Sequence, residues 1–193
     1  MEEYLKLFVA SAITNNFVLT QFLGLCIFFG VSKNLNASIG MGMAVTSVMT
    51  LSSLLAWAAY NFILEPLGLQ PLMLITFVVL IASLVQLLEM IIKKHAPALY
   101  NMWGIYLVLI ATNCIVIAVP ITNVELHSNF LTSLVLALGS GVGFALALIL
   151  MASLREKLQY ADVPKSLQGL GISFILAGML ALSFFGFSGM ITL

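Results

Sequence analysis

Charge is the scarcest property of this chain. Seven Lys and Arg and seven Asp and Glu are spread over 193 residues, 7% of the total, where a soluble globular domain carries about 25%. So little charge cannot clothe a water-soluble surface, and the apolar share of 62% points to an integral membrane protein. Basic and acidic residues balance, which leaves no basic face for a nucleic-acid partner. Histidine is nearly missing: only His95 and His127 occur, both in expected connections, so paired axial haem ligands inside the membrane are excluded. Cysteine is equally sparse. Cys26 and Cys114 stand far apart and form neither a secreted disulfide framework nor a CxxC redox or zinc motif. A removable leader is not apparent either, because Glu2 and Glu3 replace a positive start and no small-residue cleavage site follows the first apolar run.

What the chain does have is apolar runs. Those at about 5–31, 38–63, 71–92, 98–121, 130–153 and 168–190 are each long enough to cross a bilayer as a helix. The expectation is an all-α integral membrane protein of six transmembrane helices in a single membrane domain, 1–193, with short connections and no room for a soluble domain. Lys33, Lys93, Lys94, Arg155, Lys157 and Lys165 fall in the first, third and fifth connections, whereas the second and fourth carry only Glu65 and Glu125. By the positive-inside rule the odd connections are cytoplasmic and the N- and C-termini lie outside.

Two polar places interrupt these runs. Thr14-Asn15-Asn16-Phe17-Val18-Leu19-Thr20-Gln21-Phe22-Leu23-Gly24-Leu25-Cys26 sets amides and a thiol inside the first span, and Ala111-Thr112-Asn113-Cys114 does so inside the fourth. Six spans divide into two sets of three, about 1–95 and about 96–193, and an odd number per set makes the second enter from the opposite side. This suggests an inverted repeat in which each half opens with its Cys-bearing span, although little beyond the Cys and its small or amide neighbours lines up between the halves. Such proteins often use broken helices near the midplane. Asn15, Asn16, Thr20, Gln21 and Gly24 in span one, and Thr112, Asn113 and Pro120 in span four, are suited to such breaks. With both helices continuous, Cys26 would lie near the cytoplasmic end of its span and Cys114 well toward the outside of its own, so a break is needed to bring them together.

Either cysteine alone reads as a small buried hydrophobe or, beside N–H donors, as a soft thiolate ligand for iron and sulfur. Glu89, one turn before Lys93, fits an interfacial ion pair at i, i+4, or a cation ligand or proton relay on an ion path. Gly40-Met41-Gly42 and Gly139-Ser140-Gly141-Val142-Gly143 follow no strand and carry no Lys-Ser/Thr, so close helix packing explains them better than a phosphate loop. Ser188-Gly189-Met190-Ile191-Thr192 departs from a covalent flavin attachment site.

The run Asn15-Asn16-Phe17-Val18-Leu19 to Phe22-Leu23-Gly24-Leu25-Cys26 resembles the RnfA/NqrE family, membrane subunits of redox-driven ion pumps. The resemblance spans the chain through Gly30-Val31-Ser32-Lys33, Gly40-Met41-Gly42, Gly104-Ile105-Tyr106-Leu107, Thr112-Asn113-Cys114, Arg155-Glu156-Lys157, Ala161-Asp162-Val163-Pro164 and Gly186-Phe187-Ser188-Gly189. Its Asn-Asn-Phe-Val-Leu run is similar to the Rnf branch rather than to NqrE of the sodium-pumping NADH:quinone reductase. The resemblance implies that Cys26 and Cys114 supply two thiolates to an intramembrane 2Fe-2S cluster, completed by two from an RnfE-like six-span subunit. It also implies a bacterial or archaeal cell (inner) membrane, the other Rnf subunits B, C, D and G as partners, and electron transfer between ferredoxin and NAD coupled to sodium or proton transport. The chain itself is expected to have no activity alone and no nicotinamide or ferredoxin site. Where the family's second motif usually carries Pro and Thr, this chain has Val108 and Ala111, so no proline precedes Cys114 to break the helix. A non-redox inverted-repeat transporter, or a passive assembly scaffold, would share the composition.

Overall fold

The computed structural model describes residues 2–68, 70–95, 109–126, 129–160, 164 and 168–187. Among these the chain is helical, with α1 at Glu2–Val9, α2 at Phe17–Thr20, α3 at Leu25–Val31, α4 at Leu35–Ala59, α5 at Glu65–Leu67, α6 at Met73–His95, α7 at Cys114–Glu125, α8 at Phe130–Leu158 and α9 at Leu170–Phe185. Single π-helical stretches extend α1 over Ala10–Thr14 and α4 over Tyr60–Leu64. Three helical segments, Leu35–Leu64, Met73–Ile91 and Phe130–Leu158, are long and apolar enough to cross a bilayer, and Leu109–Glu125 and Leu170–Phe185 are shorter apolar pieces. The 98–108 part of the expected fourth span, His127, Lys165 and the Ser188–Thr192 run lie outside the described residues.

The centre of the bundle is an antiparallel pair, α4 and α8. Both are apolar on every side, so sidedness comes from size. On α4 the buried positions Ser38, Met41, Gly42, Val45, Val48, Met49, Ser52, Ser53 and Ala56 recur at spacings of three and four, one stripe on a helix. Lipid offers apolar side chains no incentive to turn inward, and membrane helices associate instead where small residues let backbones approach. A Cβ on Gly42 would lie 2.8 Å from the Ala145 Cβ, and one on Gly141 would lie 3.0 Å from the Thr46 Cα. Gly139 and Gly143 face α1 and its π-helical extension: a Cβ on Gly139 would meet the Phe8 carbonyl oxygen at 3.0 Å, and one on Gly143 the Ala12 carbonyl oxygen at 2.7 Å. The alternate glycines of α8 thus seat two neighbours, and helix packing is their use.

Buried polar contacts fix the register. At one end, the Asn123 Nδ2 of α7 donates to the Ser53 Oγ at 2.7 Å, and that hydroxyl lies 3.2 Å from the Ser133 Oγ, tying α4, α7 and α8. At the other, Arg155 Nη1 donates to the Phe29 carbonyl oxygen at 3.0 Å and to the buried Ser32 Oγ at 2.7 Å. A cation on the last carbonyls of α3 is favourably placed, and it anchors that short helix to the end of α8. A cavity of about 590 Å³ at this end is lined by Lys33, Asn34, Arg155, Gln159 and Gln168. By contrast, only 17% of the most apolar window of α6 is buried; Phe77, Ile81 and Val85 face inward, and Glu89 is half-buried with Lys93 exposed.

Candidate functional site

The expected first span is not one helix. Its π-helical stretch closes with the Asn15 N–H donating to the Ala10 carbonyl oxygen at 2.7 Å, and the α-helical ladder stops there. Asn side chains offer the backbone a competing partner and favour caps. The Asn16 Oδ1 accepts the Val18 N–H at 3.1 Å, its Nδ2 donates to the Gly143 carbonyl oxygen at 2.8 Å and the Ala12 carbonyl oxygen at 3.3 Å, and its own carbonyl accepts the Thr20 N–H at 2.8 Å. After one turn of α2 the chain breaks again. Phe22 takes φ 57° and Gly24 φ 78°, and the Leu23 N–H reaches back to the Phe17 carbonyl oxygen at 3.1 Å. α3 then begins, with Cys26 in its first turn.

The fourth span breaks in a related way. The Asn113 N–H donates to the Ile110 carbonyl oxygen at 3.2 Å, and its Oδ1 accepts the Ile115 N–H at 3.3 Å, so Asn113 caps α7 and Cys114 is the first helical residue. The absence of Pro at 108 and of Thr at 111 does not prevent this break, because the Asn113 side chain supplies the competing hydrogen bond that stops the preceding turn. Pro120 corrects an expectation. It lies buried inside α7, which continues unbroken from Cys114 to Glu125; a membrane helix tolerates proline where neighbours pack closely around it.

These interruptions bring the two cysteine-bearing helix starts together. A Cβ on Gly24 would lie 2.9 Å from the Asn113 Oδ1, 3.5 Å from the Phe144 ring and 3.6 Å from the Ile115 Cγ2. Cys26 is two residues beyond Gly24, and Cys114 is next to Asn113. Both thiols are free and exposed, whereas the surrounding Asn16, Ile27, Phe28, Asn113, Ile115 and Phe144 are buried. No group of three or more His, Cys, Asp or Glu converges among the described residues, so any metal held here takes further ligands from elsewhere. Thr112, Asn15 and Gln21 are exposed. The backing by Gly143 and the buried state of the Asn113 amide were not foreseen from the sequence; the Gly-x-Gly-x-Gly spacing was the available signal for the first, and nothing local signalled the second.

The family described as "Rnf-Nqr subunit, membrane protein" matches residues 4–191. The chain is 70% identical over 193 residues, covering all of both chains, to the A component of the proton-translocating ferredoxin:NAD(+) oxidoreductase complex of Clostridium ljungdahlii. It is 50% identical over 191 residues, 99% of each chain, to the A component of the ion-translocating oxidoreductase complex of Serratia proteamaculans. The protein of the same name from Vibrio cholerae is 46% identical over 193 residues, all of each chain. An all-helical chain with apolar segments of membrane-crossing length and this full-length match belongs to the Rnf-Nqr family of membrane subunits.

Proposed function

We propose that this chain is the A component of an Rnf-type ion-translocating ferredoxin:NAD oxidoreductase, seated in a cell membrane and coupled to movement of sodium ions or protons. In this reading Cys26 and Cys114 provide two of the four thiolates of a 2Fe-2S cluster, and an RnfE-like six-span subunit provides the other two. The observation that carries it is the contact of Gly24 with Asn113, which sets two exposed thiols at neighbouring helix starts. All-thiolate 2Fe-2S ligation needs four cysteines, so the donor set present fits half a shell. When bound, such a cluster would supply one-electron transfer within the bilayer. The chain's own contribution is to present the thiolates. Cys114 is the first residue of a twelve-residue helix. Asn16 holds the broken span against α8 and prevents it from closing into a continuous helix.

The partner's pair would come from a protein related by pseudo-symmetry and opposite orientation, meeting the exposed thiols across the interface. In this reading the B, C, D and G subunits complete the complex, and any nicotinamide or ferredoxin site would lie on them. Cys26→Ser and Cys114→Ser should each abolish the cluster while leaving the chain inserted, because exchanging one exposed sulfur for oxygen removes no packing. EPR spectra and iron content of membranes containing the chain with its partner and with each variant decide the matter. A cluster that persists in either variant, or assembles fully on this chain as a monomer, sinks the shared-ligand reading.

A further inference from the structure

Asn16 and Asn113 are the same device used twice, with one difference. Both cap a helix with an extended backbone, φ −68° and ψ 110° at Asn16 and φ −75° and ψ 121° at Asn113. Each is about 1% exposed, and each Oδ1 accepts the N–H two residues on. The Asn16 amide nitrogen is then satisfied by the Gly143 and Ala12 carbonyl oxygens. The Asn113 Nδ2 is buried and has no acceptor among the described residues. An orphaned buried donor has lost its hydration with nothing in return. Turning the amide over gives no relief, because the Ile115 N–H needs the oxygen. The orphan belongs to the side chain that touches Gly24 and directly precedes Cys114.

We propose that the Asn113 Nδ2–H is a donor held for sulfur: it hydrogen-bonds a cysteine Sγ or a bridging sulfide once the thiolates are in use, and it raises the reduction potential there. This deepens the thiolate-ligand reading above and rests on it. Sulfur is the acceptor that assembly adds at this place, and an N–H donor stabilises the more negative reduced state of a sulfur-ligated centre. Asn113 is thus a positioning residue, and its capping oxygen aims the amide.

Asn113→Ser separates the two roles, since serine still caps a helix but offers no amide donor. In complexes assembled in membranes, potentiometric EPR should show a full complement of cluster with a potential lowered by roughly a tenfold change in the reduction equilibrium, about 59 mV for a one-electron couple. Asn16→Ser, whose lost hydrogen bonds go to backbone, should lower stability and leave the potential where it was. A second measurement needs no variant: with asparagine side-chain 15N confined to this chain, pulsed EPR of the reduced complex should show a hyperfine coupling from an amide nitrogen. An unshifted potential in Asn113→Ser, or no such coupling in the unsubstituted complex, overturns the donor alone. Absence of any 2Fe-2S signal in the unsubstituted complex removes the ligand reading beneath it.

Discussion

Gly24 carries two demands that no other residue meets together. Its φ of 78° lies in the left-handed region, which costs an L-residue roughly 1–2 kcal/mol, and its missing Cβ leaves room for the Asn113 Oδ1 at 2.9 Å. Gly24→Ala keeps the chain's chemistry but forces α3 away from the start of α7, and Cys26 moves with α3. On the proposed thiolate ligation, the expected outcome is a chain that still inserts and retains both thiols yet holds much less iron per complex. Retention of full iron would mean that the Gly24 contact does not set the thiol spacing. Phe22 pulls the other way: with φ 57° it holds a left-handed conformation without being glycine. Its side chain is 51% exposed, so Phe22→Gly should relieve backbone strain and raise the melting temperature of the isolated chain, a gain readable by thermal unfolding in detergent.

Among the helices, α8 does the organising, and its glycines are not equivalent to those elsewhere. A side chain at Gly143 would press on the Ala12 backbone at 2.7 Å, and backbone cannot swing aside, whereas a Cβ at Gly178 of α9 meets nothing within 4 Å. Gly143→Val should therefore cost more than the about 1–3 kcal/mol of ordinary overpacking and cut accumulation in membranes. Gly178→Ala should be neutral or gain up to about 1 kcal/mol of helix propensity. Comparable loss in both variants would show that α8 has no special role. Helix packing by this glycine run was legible from its spacing, as were the breaks at Asn16 and Asn113 from amides set in apolar runs. The second break at Gln21 to Gly24 was only half legible, because it depends on Phe22 accepting a conformation that sequence disfavours. The orphan at Asn113 Nδ2 was illegible, since whether a buried amide finds a partner is decided by neighbours remote in sequence, as Gly143 is for Asn16.

Charge placement decides how the whole bundle sits in the membrane. Lys33 and Arg155 line one cavity, and the antiparallel run of α4 against α8 carries Glu65 and the Asn123 cluster toward the opposite end. Lys157 closes α8 and the exposed Lys93 and Lys94 close α6, whereas the far end carries Glu2, Glu3, Glu65 and Glu125 against the single Lys6. Basic residues resist translocation, so we propose that the Lys33 and Arg155 end faces the cytoplasm and the Glu65 end faces outward, with both termini outside. The two ends can be probed directly with single added cysteines and a membrane-impermeant maleimide. Glu65→Cys should label in intact cells, and Lys157→Cys only after permeabilisation, each measured against the parent chain to subtract Cys26 and Cys114. On the shared-cluster proposal the partner would cover both native thiols, so the parent signal should itself be low in the assembled complex and should rise when the partner is missing. Labelling of Lys157→Cys in intact cells would invert the topology. It would also turn over the positions of Cys26 and Cys114 relative to the two sides of the membrane, since α3 and α7 hold them at fixed places in the bundle.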